Sequence, residues 1–498
     1  MNAVFTAALA LATALSGSSF AAPAPAAAVS APNPESFSDP TGTIQTYSNK
    51  GPIDTSGAFF QSLGTNGRTC ATCHVAAQAM GISAAGVRAR FLTSRGKDPI
   101  FAPIDGANCP SDPQGNLASH SLLLTSGLIR IPLTLPATAQ FTISVVHDPY
   151  GCAIVPNVTG QPVVSVYRRP LPTTNLNFLS AVMFDGRETL VPLTTGATFA
   201  ANIVTDLTDQ ANTAINIHAQ AASPPSSAQL ADIVNFELGL FTGQQNDIFA
   251  GSLADGGALG GALQLSQQEY YPGINDVLGA DPTGAPFNSS SMTLFDSWAG
   301  LSYANATGLA DVIRITARRA IAAGETLFNT LPINITNVRG LNDNVALGKP
   351  TTFAGHCTTC HDAPNVGDHS LPLPLDIGTG HSTLASAETD PQIEAGLQQL
   401  SMPDLPVYLI SGCPDPFNPG QPASFYTSDP GKGLITGQCG DLNRVKGPIL
   451  RGLAARAPYF HNGAAANLLE VVNFYNQRFQ MNLTPQQKTE LVAFLNSL

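Results

Sequence analysis

The chain has 498 residues and a formal net charge of -12, long enough for two or three domains with their own cores. The acidic balance argues against nucleic acid as a partner and suits a basic or weakly docking protein. Charged residues make up only 11%, against 45 glycines and 39 prolines, the composition of a compact, loop-rich chain rather than a disordered one.

Residues 3–15 are almost wholly apolar, and Ser19-Phe20-Ala21 offers a small-x-small cleavage site. Residues 1–21 therefore read as a secretory signal peptide, although no Lys or Arg precedes the apolar run. That run is too short to span a membrane, and no later segment qualifies. The Ala-, Pro- and Ser-rich stretch that follows predicts a flexible leader over residues 22–50. Ordered structure is then expected from about Gly51.

Cys70-Ala71-Thr72-Cys73-His74 reads Cys-x-x-Cys-His, and the pattern recurs as Cys357-Thr358-Thr359-Cys360-His361. Two thiols one helical turn apart suit addition to the two vinyl groups of a haem, and the adjacent histidine suits axial ligation of its iron. Zinc or a redox dithiol would not need the added histidine. The repeat predicts two covalently bound haem c groups, with Cys70, Cys73 and His74 holding one and Cys357, Cys360 and His361 the other. Such attachment takes place outside the cytoplasm, so the expected compartment is the periplasm. Of the 8 cysteines, Cys109, Cys152, Cys413 and Cys439 remain. In an exported protein they suggest disulfides, with proximity favouring Cys109–Cys152 and Cys413–Cys439 among three formal pairings.

Between the motifs, Leu128 to Ile131, Gln140 to Val145 and Val163 to Tyr167 have the alternation and β-branching of strands. They predict a small β insertion over about residues 120–168, in which His120 and His147 are expected to be exposed. Ser226 or Ser227 caps a predicted helix through Ile233, Phe236, Leu240 and Phe241. Another helix is expected from Leu309 to Leu327. Pro406 to Ile410 suits a strand, and Leu468 to Phe479 a helix. The last helix starts at Thr484, with Pro485 in its first turn and Gln487 closing a capping box.

Residues 447–476 (GPILRGLAARAPYFHNGAAANLLEVVNFYN), 182–188 (VMFDGRE) and 168–176 (RRPLPTTNL), with the two haem motifs, resemble the bacterial dihaem cytochrome c peroxidase and MauG superfamily. The resemblance covers roughly residue 55 to the C-terminus apart from insertions. It implies a mainly α fold of two cytochrome-c-like haem domains, 51–305 and 306–498, with the β insertion in the first, loop-rich insertions elsewhere, and the last helix packing back on the first domain. It also implies reduction of hydrogen peroxide at the His74 haem. The His361 haem would store or relay electrons from a small donor protein, a cytochrome c or a cupredoxin.

Several family positions are altered here. The family's second ligand to the C-terminal iron is Met in peroxidases and Tyr in MauG-type enzymes, and counting from His461 reaches Tyr475. Met481 lies beyond the helix. The inter-haem Trp before Asp-Gly-Arg is Phe184, which is far harder to oxidise. Arg187 is expected to pair with a haem propionate or a neighbouring acid. The distal carboxylate's place falls near Gln220, which cannot act as a base, whereas His218 can. No His lies between Val75 and Cys109 to cap the first iron, which is therefore expected to be open. His461 belongs to the family motif and is expected near the second haem. A calcium ion of the family would fall at Asn175, Arg456 and Pro458, where Arg456 replaces a usual Thr and opposes the ion. Rival readings of the same residues are MauG-like oxidation of protein side chains, a haem oxygenase, and a plain dihaem electron carrier.

Overall fold

A computed structural model describes residues 30–190, 197–271, 273–279, 281–364, 374–384, 390–415, 417, 420 and 422–498. The segment read as a signal peptide lies outside the described residues. The fold is not mainly α and does not reduce to two cytochrome-c-like domains. About 33% of it is helix and 18% strand, with ten α-helices and five small sheets among the described residues.

The first departure lies in the expected leader. Glu35–Asp39 and Gly42–Ser48 form an antiparallel hairpin. The second of these strands pairs with Leu240–Asp247, which in turn pairs with Gly251–Ser252. Asp39 shapes the hairpin turn, its Oδ1 accepting from the amides of Thr41 at 2.8 Å and Gly42 at 3.0 Å. A side chain at Gly42 would overlap the Asn246 carbonyl on the neighbouring strand. The buried face of Gly42–Ser48 is Ile44, Thr46 and Ser48. Two of those three are polar, so hydropathy alternation is masked. Thr46 is satisfied by a 2.9 Å hydrogen bond to the hydroxyl of Thr242. The same pairing ends the Ser226-capped helix at Gly239, because Leu240 and Phe241 already belong to the strand.

The predicted β insertion forms, but across two sheets. Ile129–Thr134, Pro162–Arg168 and Ile154–Pro156 make one. Thr142–His147 instead pairs with Val407–Pro414, which pairs with Pro422–Thr427. Cys109–Cys152 and Cys413–Cys439 are both disulfide-bonded and brace these two sheets. His147 is partly exposed and bonds Asp404 at 2.7 Å. His120, expected on the surface, is fully buried. Its Nδ1 bonds the Gly106 carbonyl at 2.7 Å, which offsets the cost of burying an imidazole.

The C-terminal half is built on Leu309–Thr330 packed against Pro485–Asn496. Gly324 allows the close crossing, since a Cβ there would meet the Glu490 carbonyl. Trp298, Phe295, Phe328, Phe494 and Leu491 fill the core around it. The Thr484–Gln487 capping box is formed as expected. Leu498, at the end of this helix, accepts through its carbonyl from Gly452 at 2.9 Å and Gln244 at 3.3 Å. The final turn thereby meets the sheet strand Leu240–Asp247 of the first half. Among the described residues, no helix is long and apolar enough to cross a membrane.

Candidate active site

Both Cys-x-x-Cys-His motifs fold into the same short turn. Cys70–Thr72 and Cys357–Thr359 are single 3-10 turns. In each, the threonine hydroxyl accepts from a preceding amide, Thr72 from Thr69 at 3.0 Å and Thr359 from His356 at 2.9 Å. The amides of His74 and His361 bond back to Cys70 and Cys357, each at 3.0 Å. Two thiols and one imidazole are thus presented together. None of the four cysteines is in a disulfide. Burial pushes the Cys70, Cys357 and Cys360 thiols up to about 12. No cluster of three or more His, Cys, Asp or Glu able to hold a metal ion occurs among the described residues.

Each motif opens on its own cavity. The first, about 180 Å³, is lined by Cys70, Cys73 and His74; the second, about 220 Å³, by Cys357, Cys360 and His361. Both far exceed the ~10–15 Å³ a single water needs, and both are largely apolar. His74 Nδ1 faces the Met80 carbonyl at 3.2 Å, which orients the ring and leaves Nε2 available as a ligand. A haem fits this donor set: two thiols, an imidazole and a largely apolar slot at each motif.

The two cavities are neighbours. Arg169, Pro170, Leu171, Pro172, Phe184 and Lys446 line both of them. Phe184 is buried, and its carbonyl accepts the Lys446 amide at 2.8 Å. Its place before Asp185-Gly186-Arg187 therefore puts it in the shared wall.

His218 lines the first cavity. It follows the helix Ala197–Ile217, and its amide bonds Ala214 at 2.8 Å. Gly64, just ahead of the motif, packs on the Ala219 carbonyl so closely that no side chain would fit. Asn66 adds a 2.8 Å bond to the His218 carbonyl. His218 Nδ1 bonds Asp105, which also pairs with Arg68. Burial works against the charge on Asp105, but His218 and Arg68 outweigh it and hold the carboxyl below the ordinary aspartate range. Gln220 is not part of the cavity. It is exposed, in the left-handed region at φ 55°, and its side chain meets Asn66 at 3.2 Å.

Arg187 reaches the first cavity but is held by Asp185 at 3.0 Å. Asp185 also pairs with Arg168, which pairs with Asp429 at 2.6 Å. Asp429 lies 3.5 Å from His461 Nε2. A chain of ion pairs and polar contacts thus runs from Arg187, at the first cavity, through Asp185, Arg168 and Asp429 to His461, at the second. Burial lowers the His461 pKa to about 4.

Tyr475 lines the second cavity, among Phe460, Phe474 and Phe479. Burial, and then the nearby Cys360 and Cys357, raise its phenol pKa. Met481 lines the same cavity, so lying beyond the helix does not remove it from the site.

No family model matches the chain. It is 31% identical over 159 residues to a cytochrome-c peroxidase, IdrP2, of Denitromonas iodatirespirans, covering 30% of this chain and 37% of that protein. It is 30% identical over 198 residues to the cytochrome-c peroxidase IdrP2 of Pseudomonas sp. (strain SCT), covering 35% of this chain and 49% of that one. Over those stretches the chain is similar to cytochrome-c peroxidases. It spans less than half the length of these two curated proteins.

The residues expected to hold calcium do not fit a dication. Both amide atoms of Asn175 are used by the Thr242 backbone, each at 2.9 Å. The Arg456 carbonyl accepts from Arg169 Nη2 at 2.7 Å. Pro458 lines the second cavity beside these two guanidinium groups.

Sequence reasoning missed Asp105, Arg68 and Glu237. Asp105 sits in a Gly- and Pro-containing loop with no periodic signal. Arg68 had one usable signal, its place two residues before Cys70. Glu237 lines the first cavity with Oε2 buried and unbonded, and burial raises its pKa to about 8. Its place on the helix Ser227–Gly239 carries no sequence signal of that setting.

Proposed function

We propose that the protein is a dihaem c-type peroxidase that reduces hydrogen peroxide to water. The first haem would be held by Cys70, Cys73 and His74 and the second by Cys357, Cys360 and His361. When bound, haem supplies an iron that binds peroxide and takes up electrons singly. The balance is one H2O2, two protons and two electrons giving two waters. The electrons would come from a small donor protein, a cytochrome c or a cupredoxin. The two disulfides suit an exported, periplasmic protein.

The observation that carries this reading is the wall common to the two motif cavities. It supports a second redox group close enough to serve the first. His218 supplies the proton handling. Asp105 engages Nδ1 and leaves Nε2 to take a proton from the near peroxide oxygen and return it to the far one. Arg68 keeps Asp105 ionised, and Asp105 stabilises the imidazolium while the proton is held. Phe184 and the Arg169 to Pro172 segment keep water from the space between the cavities.

Tyr475 in the second cavity favours one alternative, MauG-like oxidation of protein side chains, because a phenolate ligand supports higher oxidation states of iron. The test is expression with c-type haem maturation, a haem count by pyridine haemochrome, and peroxide turnover with reduced donors. Two haems per chain, one after Cys70→Ala with Cys73→Ala, and donor-dependent turnover are expected. No covalent haem, or two haems whose spectrum ignores peroxide, would sink the proposal. Peroxide consumption with a cross-linked or hydroxylated protein product, and no donor dependence, would favour the alternative.

A further inference from the structure

Arg169 and Arg456 are adjacent guanidinium groups beside an apolar cavity. Arg169 is buried, and its nitrogens go to carbonyls only, those of Ser126, Ile82 and Arg456. Arg456 gives one Nη2 bond to the Ile449 carbonyl, and its Nε is buried with no hydrogen-bond partner. Neither makes an ion pair among the described residues. Both line the second cavity, whose lining also includes Lys446 and contains no Asp or Glu.

Two like charges side by side in an apolar setting, without an acid, are strongly unfavourable. The nearby carbonyls satisfy hydrogen bonds but not net charge. An anion reaching Arg169 and Arg456 from inside the cavity would offset that charge, and carboxylate is the planar partner that guanidinium groups accept best. The remaining lining is largely apolar, so the matching ligand is amphipathic, with an apolar body and its carboxylates at Arg169 and Arg456.

We propose that Arg169 and Arg456 form a carboxylate cradle that binds the acid groups of the ligand in the second cavity. This rests on the haem reading, in which those groups are the propionates of the haem held by Cys357 and Cys360. Arg169, which lines both cavities, would place that charge at the wall they share. The cradle also supplies fixed positive charge where a calcium ion would otherwise stand.

The experiment uses the haem-loaded full chain, with Arg456→Met, Arg456→Lys and Arg169→Met. A pyridine haemochrome count comes first. Absence of covalent haem from the wild-type chain would overturn the haem reading, and the cradle with it unless the chain binds a free amphipathic dicarboxylate that Arg456→Met no longer holds. With two haems present, potentiometry should show one potential, that of the His361 haem, falling in Arg456→Met and largely restored in Arg456→Lys, because a removed cation favours the oxidised iron. Arg169→Met, lining both cavities, should lower both potentials. Where a variant fails to load, the wild type is grown with carboxyl-labelled 5-aminolaevulinate. Redox-difference infrared spectra should then place the labelled carboxylates at ion-paired frequencies. Potentials unchanged in loaded Arg456→Met, or labelled carboxylates with the frequencies of free, hydrated groups, would overturn the cradle.

Discussion

Phe184 and His461 meet edge to face in the wall beside the second cavity, their ring centroids 5.9 Å apart. Phe184 also reaches the first cavity, so one ring spans the barrier between the two motifs. A phenyl ring fills that space but is a poor redox relay. Phe184→Trp is expected to accelerate electron transfer between the sites and to give a tryptophan radical signal after peroxide, read by rapid-freeze paramagnetic resonance. Phe184→Leu should leave transfer near the wild-type rate, since neither side chain is oxidised.

The Asp105 to His218 contact predicts a graded loss. His218→Gln should slow single-turnover peroxide cleavage by about 10²–10⁴-fold, the usual worth of a positioned acid-base group. Asp105→Asn should slow it less, because the imidazole stays in place without its orienting charge. Gln220→Ala should change nothing in the same stopped-flow assay, as its side chain lies outside the cavity.

Tyr475 and Met481 face the same cavity, and ligation distinguishes them. Tyr475→Phe is expected to change the absorption and paramagnetic resonance signature of one haem only. Met481→Leu should leave both signatures intact. The reverse pattern would assign the ligand to Met481.

Arg168 is the centre of the buried charge chain, pairing with both Asp185 and Asp429. Arg168→Met leaves two buried carboxylates without it and should cost about 3–5 kcal/mol in chemical denaturation. Burial opposes the charge of both acids, but Arg168 outweighs it and their folded-state pKa values lie below the ordinary one. Their contribution is therefore present above about pH 4 and is lost as pH falls further. The variant should lose stability at neutral pH and show a weaker acid limb.

His461 acts in a different pH window. Its folded pKa is about 4 against an ordinary 6.5, so the unfolded chain binds the extra proton between those values. Stability from this group is complete above 6.5 and declines as pH drops towards 4. Melting curves from pH 7 to 4.5 should fall less steeply in His461→Gln than in the wild type.

The features that rest on neighbouring residues were legible in the sequence. The two Cys-x-x-Cys-His turns, the Thr484 cap and the Ser226 cap depend on residues one helical turn apart, and local hydrogen bonds decide them. The strands Ile129–Thr134 and Pro162–Arg168 showed in their β-branched alternation. The two disulfides followed from chain proximity. What failed was long-range. Glu35–Asp39 and Gly42–Ser48 were hidden by a buried face rich in Thr and Ser, and Thr142–His147 finds its partner more than 250 residues away. The mainly α expectation fell for the same reason, since loop-like segments became edges of small sheets.

The sequence by itself determined that thiol, thiol and imidazole are presented together twice, because one helical turn fixes that spacing wherever it occurs. Only the tertiary structure decided that the two turns open on adjoining cavities. It alone brought Asp105 to His218 across 113 positions and Arg169 to Arg456 across 287. Such meetings are set by packing and by the need to satisfy buried charge, and neither leaves a local mark on the chain.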